Sequence, residues 1–315
     1  MVKLGFDQIW ITWIMAMVRS VSYSVLINGS PYGDITPKRG LRQGDPISPY
    51  LFLFCAEMLT QKIHQAESRG DITGLSISNH GPRVTHLLFA DDSFFFCQAN
   101  SRNSRVLARI LHQYGQLSRQ CVNLNKSSIT FGSKVEESKK DAVKRHINIT
   151  RVGGCGKYLG LPEEFSRRKC QMFEYIVTRV KERTRNWHTK YLSEAVKEVL
   201  LKSVAFAMPS HAMGCFKLPL TICQEIDSLF SQFWWGSDES KRRISWVSWK
   251  RLNLPKSEGG LGFHDIEKFN DALLAKQVWK ILNSPECLLT KILKSRYFPA
   301  TDIRTATLGK KPSHG

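Results

Sequence analysis

Residues 87–96, LLFADDSFFF, place two adjacent carboxylates, Asp91 and Asp92, inside a run that is otherwise almost wholly apolar. Two short β-rich runs on either side of a polar pair predict a hairpin, with Val84–Ala90 pairing to Ser93–Gln98 and both aspartates at its tip. Asp is common in turns, so a polar hairpin tip accounts for the pair on its own. Against that plain account stand the absence of Gly, Asn or Pro and the repulsion of two like charges, which a divalent cation relieves.

The elements around this hairpin follow from local signals. Asp7 precedes the apolar run QIWITWIMAMVR and is placed to cap a helix there. Asn28-Gly29 between β-rich flanks in YSVLINGSPYGDITP is a strong hairpin signal. A long helix is expected from about Ser48, with Pro49 at its first position. An amphipathic helix over 101–120 and a strand in VNLNKSSITFG (122–132) complete the set. Helix, hairpin, helix, hairpin, helix and strand predict an α+β fold, with helices against one face of an antiparallel sheet. Beyond 163 strand signals thin out: the segment to Pro209 reads as helical and basic, and the remainder is Trp-rich. The expected organisation is an α+β region over 1–162, a helical region over 163–215 and a Trp-rich region over 216–315. Aromatics among KRR and WKR suit base stacking, but the three-residue spacing of Trp246 and Trp249, and Trp234-Trp235 after an apolar helix, favour core packing.

The chain has 315 residues, 46 Lys and Arg against 27 Asp and Glu, and a formal charge of +19, which favours a polyanionic partner, nucleic acid first. Eight cysteines, at 55, 97, 121, 155, 170, 215, 223 and 287, show neither CxxC pairs nor zinc spacing, so reduced thiols are expected. IWITWIMAMV (9–18) is too short to span a membrane and lacks the flanks of a signal peptide.

LLFADD together with GLRQGDPISPYLF (40–52) resembles the reverse transcriptases of plant non-LTR (LINE-type) retroelements. The likeness continues through LNKSSITFG, GKYLGLP (156–162), FWWG and GGLGFHDIEKFNDALLAKQVWKIL (259–282). The resemblance implies a polymerase palm over 1–162, thumb-like helices over 163–215, and an RNA template with a DNA primer as partners. Nothing points to a membrane or to a protein partner, and nuclear action is the family expectation.

The resemblance also implies roles for single residues. Asp91 becomes the principal ligand of Mg²⁺ and Asp92 its supporting carboxylate. Arg42, Gln43 and Gly44 lie by the nascent base pair, where a glycine permits close backbone approach. Lys126 protonates departing pyrophosphate, although an exposed lysine beside a turn explains it equally. Tyr158, Leu159 and Gly160 form a primer-gripping turn. The basic residues Arg167, Arg168, Lys169, Arg179, Lys181, Arg183 and Arg185 supply salt-sensitive nucleic-acid affinity. The chain matches the family from a point after the strand that carries a further catalytic aspartate, and stops before the family's cysteine/histidine-rich module. Asp7, Asp34 and Asp45 offer no replacement. The expectation is therefore a reverse-transcriptase domain truncated at both ends and catalytically incomplete alone. A non-catalytic nucleic-acid-binding module and a fragment of an active polymerase are the alternatives.

Overall fold

The computed structural model describes residues 1–79, 81–154, 156–162, 169–187, 191–236 and 243–307. The chain divides into two compact units, one of Met1–Ile77 with Arg83–Cys155, the other of Ser78–Pro82 with Gly156–Gly315.

In the first unit, helix α1 (Gln8–Arg19) starts where the Asp7 carboxylate accepts from the Ile9 N–H at 2.7 Å, satisfying a backbone donor that the helix cannot pair itself. Strands β1 (Tyr23–Ile27) and β2 (Ser30–Ile35) join through Asn28 and Gly29, both at positive φ, as a two-residue hairpin loop requires. Helix α2 (Ser48–Ser68) has its proline in the first turn. Three further elements follow: a short pair, β3 (Leu75–Ser76) with β4 (Arg83–Val84), then the hairpin of β5 (His86–Phe89) and β6 (Asp92–Phe95), then helix α3 (Ser101–Ser118). Helix α4 (Glu137–Ile147) packs on α3.

Leu59, Ile63 and Ala66 of α2 meet Leu107, Ile110 and Tyr114 of α3, each set at helical spacing, and Leu88 and Phe95 of the hairpin pack against them. Asn103 is buried in this region; its side chain accepts from the Thr73 N–H at 2.9 Å and donates to the Asp71 carbonyl at 3.3 Å. Each sheet among the described residues has two strands. The strand expected over 122–132 does not form. The Asn123 side chain and carbonyl both accept from the Lys126 N–H and hold a turn, leaving one parallel bridge between Ile129 and Val152. Local side-chain bonding of this kind competes with a ladder.

The second unit opens with the hairpin β7 (Lys157–Tyr158) and β8 (Leu161–Pro162), followed by α5 (Lys169–Asn186), α6 (Glu194–Leu200), α7 (Ala207–Met213), α8 (Leu220–Trp235), α9 (Trp249–Leu252), α10 (Ile266–Asn283) and α11 (Leu288–Tyr297). Pro209 does not end the helical segment. A π turn over Leu201–Ala205 breaks it earlier, and Pro209 sits in the first turn of α7, where a missing N–H costs little.

One core runs through this unit, from Phe173 and Val180 of α5 through Phe206 and Met213 to Ile226 and Phe230 of α8 and Ile266 of α10. It includes residues on both sides of residue 216. The two units meet at 155/156, and Leu161 packs on this second core. Asn270 is fully buried and satisfied three times, accepting from the Leu218 N–H and donating to the Met213 and Phe216 carbonyls, which binds α10 to the α7–α8 connection. Trp234 is buried, and Trp235 and Trp249 pack against the core, as their spacing suggested, whereas Trp246 is 79% exposed.

Asp227 of α8 accepts from the Trp249 indole N–H at 3.2 Å and from the backbone of Ile266, drawing α9 and the start of α10 onto α8. Burial, reinforced by the charge of Asp265, raises its carboxyl to about 6, against the opposing effect of those hydrogen bonds. A carboxyl raised in the folded state holds its proton where the unfolded chain has lost it. Its contribution to stability is therefore fully present below about pH 4 and lost as pH rises through about 6. Asp227→Asn is expected to be more stable than the parent at pH 7.5 by about 1 kcal/mol and to lose that advantage at pH 4.5, as read by urea unfolding at the two pH values.

Candidate functional site

Residues Phe89 and Asp92 are register partners, so the loop between β5 and β6 is Ala90-Asp91 alone. Asp91 lies at the tip, but Asp92 is the first residue of β6, a correction to the expectation that both sit at the tip. The paired strands are also shorter than Val84–Ala90 and Ser93–Gln98, running His86–Phe89 and Asp92–Phe95. Strand alternation divides the run into two faces. Leu88 and Phe95 turn to the core; Leu87 and Phe89 share the other face with Asp92 and are exposed. Both aspartates are exposed as well, so the apolar sequence does not bury its charges.

Ala90 has φ of 49°. Positive φ at the first loop position alone is the pattern of a type II′ turn, which favours Gly there; a residue with a Cβ is strained by about 1 kcal/mol or more. Such strain at an exposed tip is a reason to look for function there. The base of the hairpin is tied to α2 by His86, whose Nε2 lies 3.3 Å from the Thr60 hydroxyl and whose ring packs edge-on against His64. Burial, then the neighbouring His64, lowers the His86 pKa against the opposing charge of Glu57.

Arg42, Gln43 and Gly44 lie in the exposed loop before α2. The glycine is needed for its φ of 86°, and no protein atom lies within 4 Å of where a Cβ would stand. Asp45 next to it is used locally, its carboxylate accepting from the Ile47 N–H at 2.9 Å. Arg39 and Arg42 line a cavity of about 120 Å³ with Met17, Tyr23, Asp45 and Ser48. Lys126 is exposed in its turn in the same unit.

In the second unit, Tyr158 ends β7, and Leu159 and Gly160 form the two-residue loop to β8 at φ of 48° and 80°. The His211 Nε2–H of α7 donates to the Leu159 carbonyl at 3.0 Å. Leu159, Gly160, His211, Tyr175, Arg179 and Met208 are among the walls of a cavity of about 200 Å³. Arg179, Arg183 and Arg185 are exposed and Lys181 is half-buried on α5, off the stripe of Phe173, Ile176, Val177 and Val180 that faces the core. The Arg183 guanidinium stands 6.0 Å from the Trp187 ring centroid. Arg167 and Arg168 lie outside the described residues, as does the side chain of Lys169. Sequence reasoning missed Arg39, Tyr175 and His211; the last comes to the turn from 52 residues away, and no local pattern marks it.

Adjacent carboxylates are hard oxygen donors of the kind Mg²⁺ accepts, one or two at a time alongside phosphates. Asp91 and Asp92 fit that ion by donor type and by exposure. Among the described residues, no group of three or more His, Cys, Asp or Glu side chains gathers as a metal site, and no helix is long and apolar enough to cross a membrane.

A family model for reverse transcriptase (RNA-dependent DNA polymerase) matches residues 2–192, more than half of the chain. The chain belongs to the reverse transcriptase family. That family binds nucleic-acid template and primer and is generally dependent on a divalent metal. This reverse transcriptase domain protein is 46% identical over 109 residues to an uncharacterized mitochondrial protein of Arabidopsis thaliana, an alignment that covers 34% of this chain and 71% of that protein. It is 54% identical over 68 residues to a second such mitochondrial protein, covering 22% of this chain and 56% of the relative. It is 37% identical over 125 residues to a putative ribonuclease H protein of the same plant, covering 40% of this chain and 20% of the relative.

The strained tip of the hairpin gives a direct test of its conformation. Ala90→Gly removes the Cβ where φ is positive and is expected to stabilise the protein by about 1 kcal/mol in urea unfolding, whereas Ala at an ordinary φ would make the same change destabilising.

Proposed function

We propose that this chain is the palm and thumb part of a plant LINE-type reverse transcriptase, and that residues 1–315 alone hold a primer–template without copying it. The observation that carries the reading is the Asp91-Asp92 pair, exposed at one end of a hairpin whose other face is fastened to a helical core. A carboxylate pair so presented suits a metal-bound nucleotide rather than a structural ion pair.

In this reading Asp91 is the principal ligand of Mg²⁺ and Asp92 supports it; the ion, when bound, neutralises charge on the transferring phosphoryl group. The chain's own part is binding and proton transfer. Arg42, Gln43 and Gly44 border the nascent base pair, and Lys126 donates a proton to departing pyrophosphate. The turn at Tyr158, Leu159 and Gly160 grips the primer. Arg167, Arg168, Lys169 and the exposed arginines of α5, with Lys181, neutralise backbone phosphates of the RNA template and DNA primer. Catalytic incompleteness is supported by the lack, among the described residues, of a third metal-ligating side chain gathered with the pair. Action at nuclear DNA follows from LINE-type ancestry; two relatives bear mitochondrial names, and a fluorescent fusion separates the two locations.

Two measurements on residues 1–315 test this. Binding to a DNA-primed RNA should weaken steeply between 50 and 300 mM salt; tight, salt-indifferent binding contradicts the role of α5. Primer extension with Mg²⁺ or Mn²⁺ should be absent, because losing a ligand of a two-metal site costs on the order of 10³-fold in rate. Templated synthesis that Asp91→Ala abolishes would overturn the claim of incompleteness.

A further inference from the structure

Helix α10 carries its core contacts on one side and a different chemistry on the other. Ile266, Asn270 and Ile281 are buried, and Phe269 and Leu273 pack against the second core. Away from that side Ala272, Ala275, Lys276 and Trp279 are exposed, at the spacing of neighbours on one helix face. Trp279 has 68% of its surface open, and among the described residues no aromatic ring or cation stacks on it. A long helical side chain leans over the turn before it, which here holds Ala275 and Lys276. Alanine is too small to cover an indole, so the ring stays bare, with a lysine one turn away.

The charge is as one-sided. The acids of α10, Glu267 and Asp271, stand in its first two turns, and Asp271 is paired with Lys217. From Ala272 to Asn283 the helix holds Lys276 and Lys280 and no acid. Neither lysine makes an ion pair among the described residues. They stand four residues apart, a rise of about 6 Å. Lys280, in the last turn, suits the helix dipole on its own account. Trp279 serves no such purpose, since an exposed indole adds nothing to the packing of a helix that Asn270 already fixes through three hydrogen bonds.

The patch pairs a flat aromatic face with two unneutralised cations. A nucleotide base offers the matching face and its phosphates the matching charge, the combination by which sequence-tolerant single-strand binders hold a strand. Bases stacked within a duplex have no free face, so the strand must be single. An anionic membrane would also meet Trp and Lys, but a helix lying in that interface sinks a stripe of large apolar residues. The face of Trp279 holds alanines and a lysine instead.

We propose that Lys276, Trp279 and Lys280 form a binding site for single-stranded nucleic acid, in which one base stacks on the Trp279 indole and the two ammonium groups pair with phosphates beside it. The site lies beyond residues 2–192, which the reverse transcriptase model matches, and uses none of the residues assigned above to holding a primer–template. It reads no sequence, because every base has a π-face.

The test uses the full chain and two labelled 12-nucleotide strands, oligo-dT and the same sugar–phosphate backbone with abasic positions throughout. Trp279→Ala should weaken binding of oligo-dT roughly fivefold or more, the effect of losing one stacked base, and leave the abasic strand unchanged. Trp279→Phe should keep part of that affinity, whereas Trp279→Leu, apolar but without a π-face, should lose it. Lys276→Gln and Lys280→Gln should weaken both strands and each lower the salt slope by about 0.7. All three side chains are exposed, so urea midpoints should match the parent, which a structural role would not allow.

Trp279→Ala that weakens both strands alike, or neither, overturns the site. So does a loss seen with vesicles of phosphatidylcholine and phosphatidylserine but with neither strand, which assigns the face to a membrane. A dimer in sedimentation velocity that Trp279→Ala separates, with strand binding unaltered, assigns it to a second copy and overturns it too. Arg179→Gln combined with Arg183→Gln distinguishes this site from the binding proposed for α5. Dependence on those arginines and not on Trp279 overturns the α10 site alone. Dependence on Trp279 and not on the arginines supports it and overturns the role of α5, and failure of the parent to bind either strand overturns both.

Discussion

The packing of Leu88 and Phe95 onto the α2–α3 core is the constraint from which the candidate site follows. A two-stranded hairpin has little stability of its own in water and needs an apolar face against something larger. Once alternate residues of β5 and β6 are committed to that core, the others have no choice of face. Asp92 must point away with Leu87 and Phe89, and the two-residue loop puts Asp91 beyond the last pair. A slip of one residue in register would turn the carboxylate face inward. Helix packing thereby fixes where two charges stand, at the cost of strain at Ala90.

The second unit applies a similar device to a different end. Its hairpin is shorter still, and the turn is strained at Leu159, but support comes from a side chain of α7 through the His211 bond. Around it, the large apolar residues of α5, α7 and α8 form one core that buries Asn270 with each of its bonds satisfied. A polar group so buried favours one arrangement of α10 over its alternatives, since any shift leaves donors or acceptors unpaired. The arginines of α5 can then present their charge outward from a helix that is held still.

Much of this was legible in the sequence where local chemistry decides. Asp7 before an apolar run, Asn28-Gly29 between strands and Pro49 at a helix start each act over a few residues, and each stands where it was expected. The α+β class and the reverse transcriptase family were legible too, the second because two specific motifs occur together. What failed was non-local. The run 122–132 has strand composition, but Asn123 bonds its own neighbours, and among the described residues pairing stops at the single bridge from Ile129 to Val152. Pro209 was read as a terminator when a π turn just before it had already reset the helix. The cavity of Tyr175, Arg179 and His211 was invisible, since it is assembled from three elements.

The central claim is that Asp91 and Asp92 act as an outward-facing pair able to take a divalent ion with help from phosphate. Amide resonance broadening by Mn²⁺ tests it directly and detects weak binding. With a nucleoside triphosphate present, the account predicts broadening centred on residues 89–93 and its loss in both Asp91→Ala and Asp92→Ala. Broadening centred on Asp227 and Asp265 instead, or broadening at the hairpin that survives both substitutions, would contradict it.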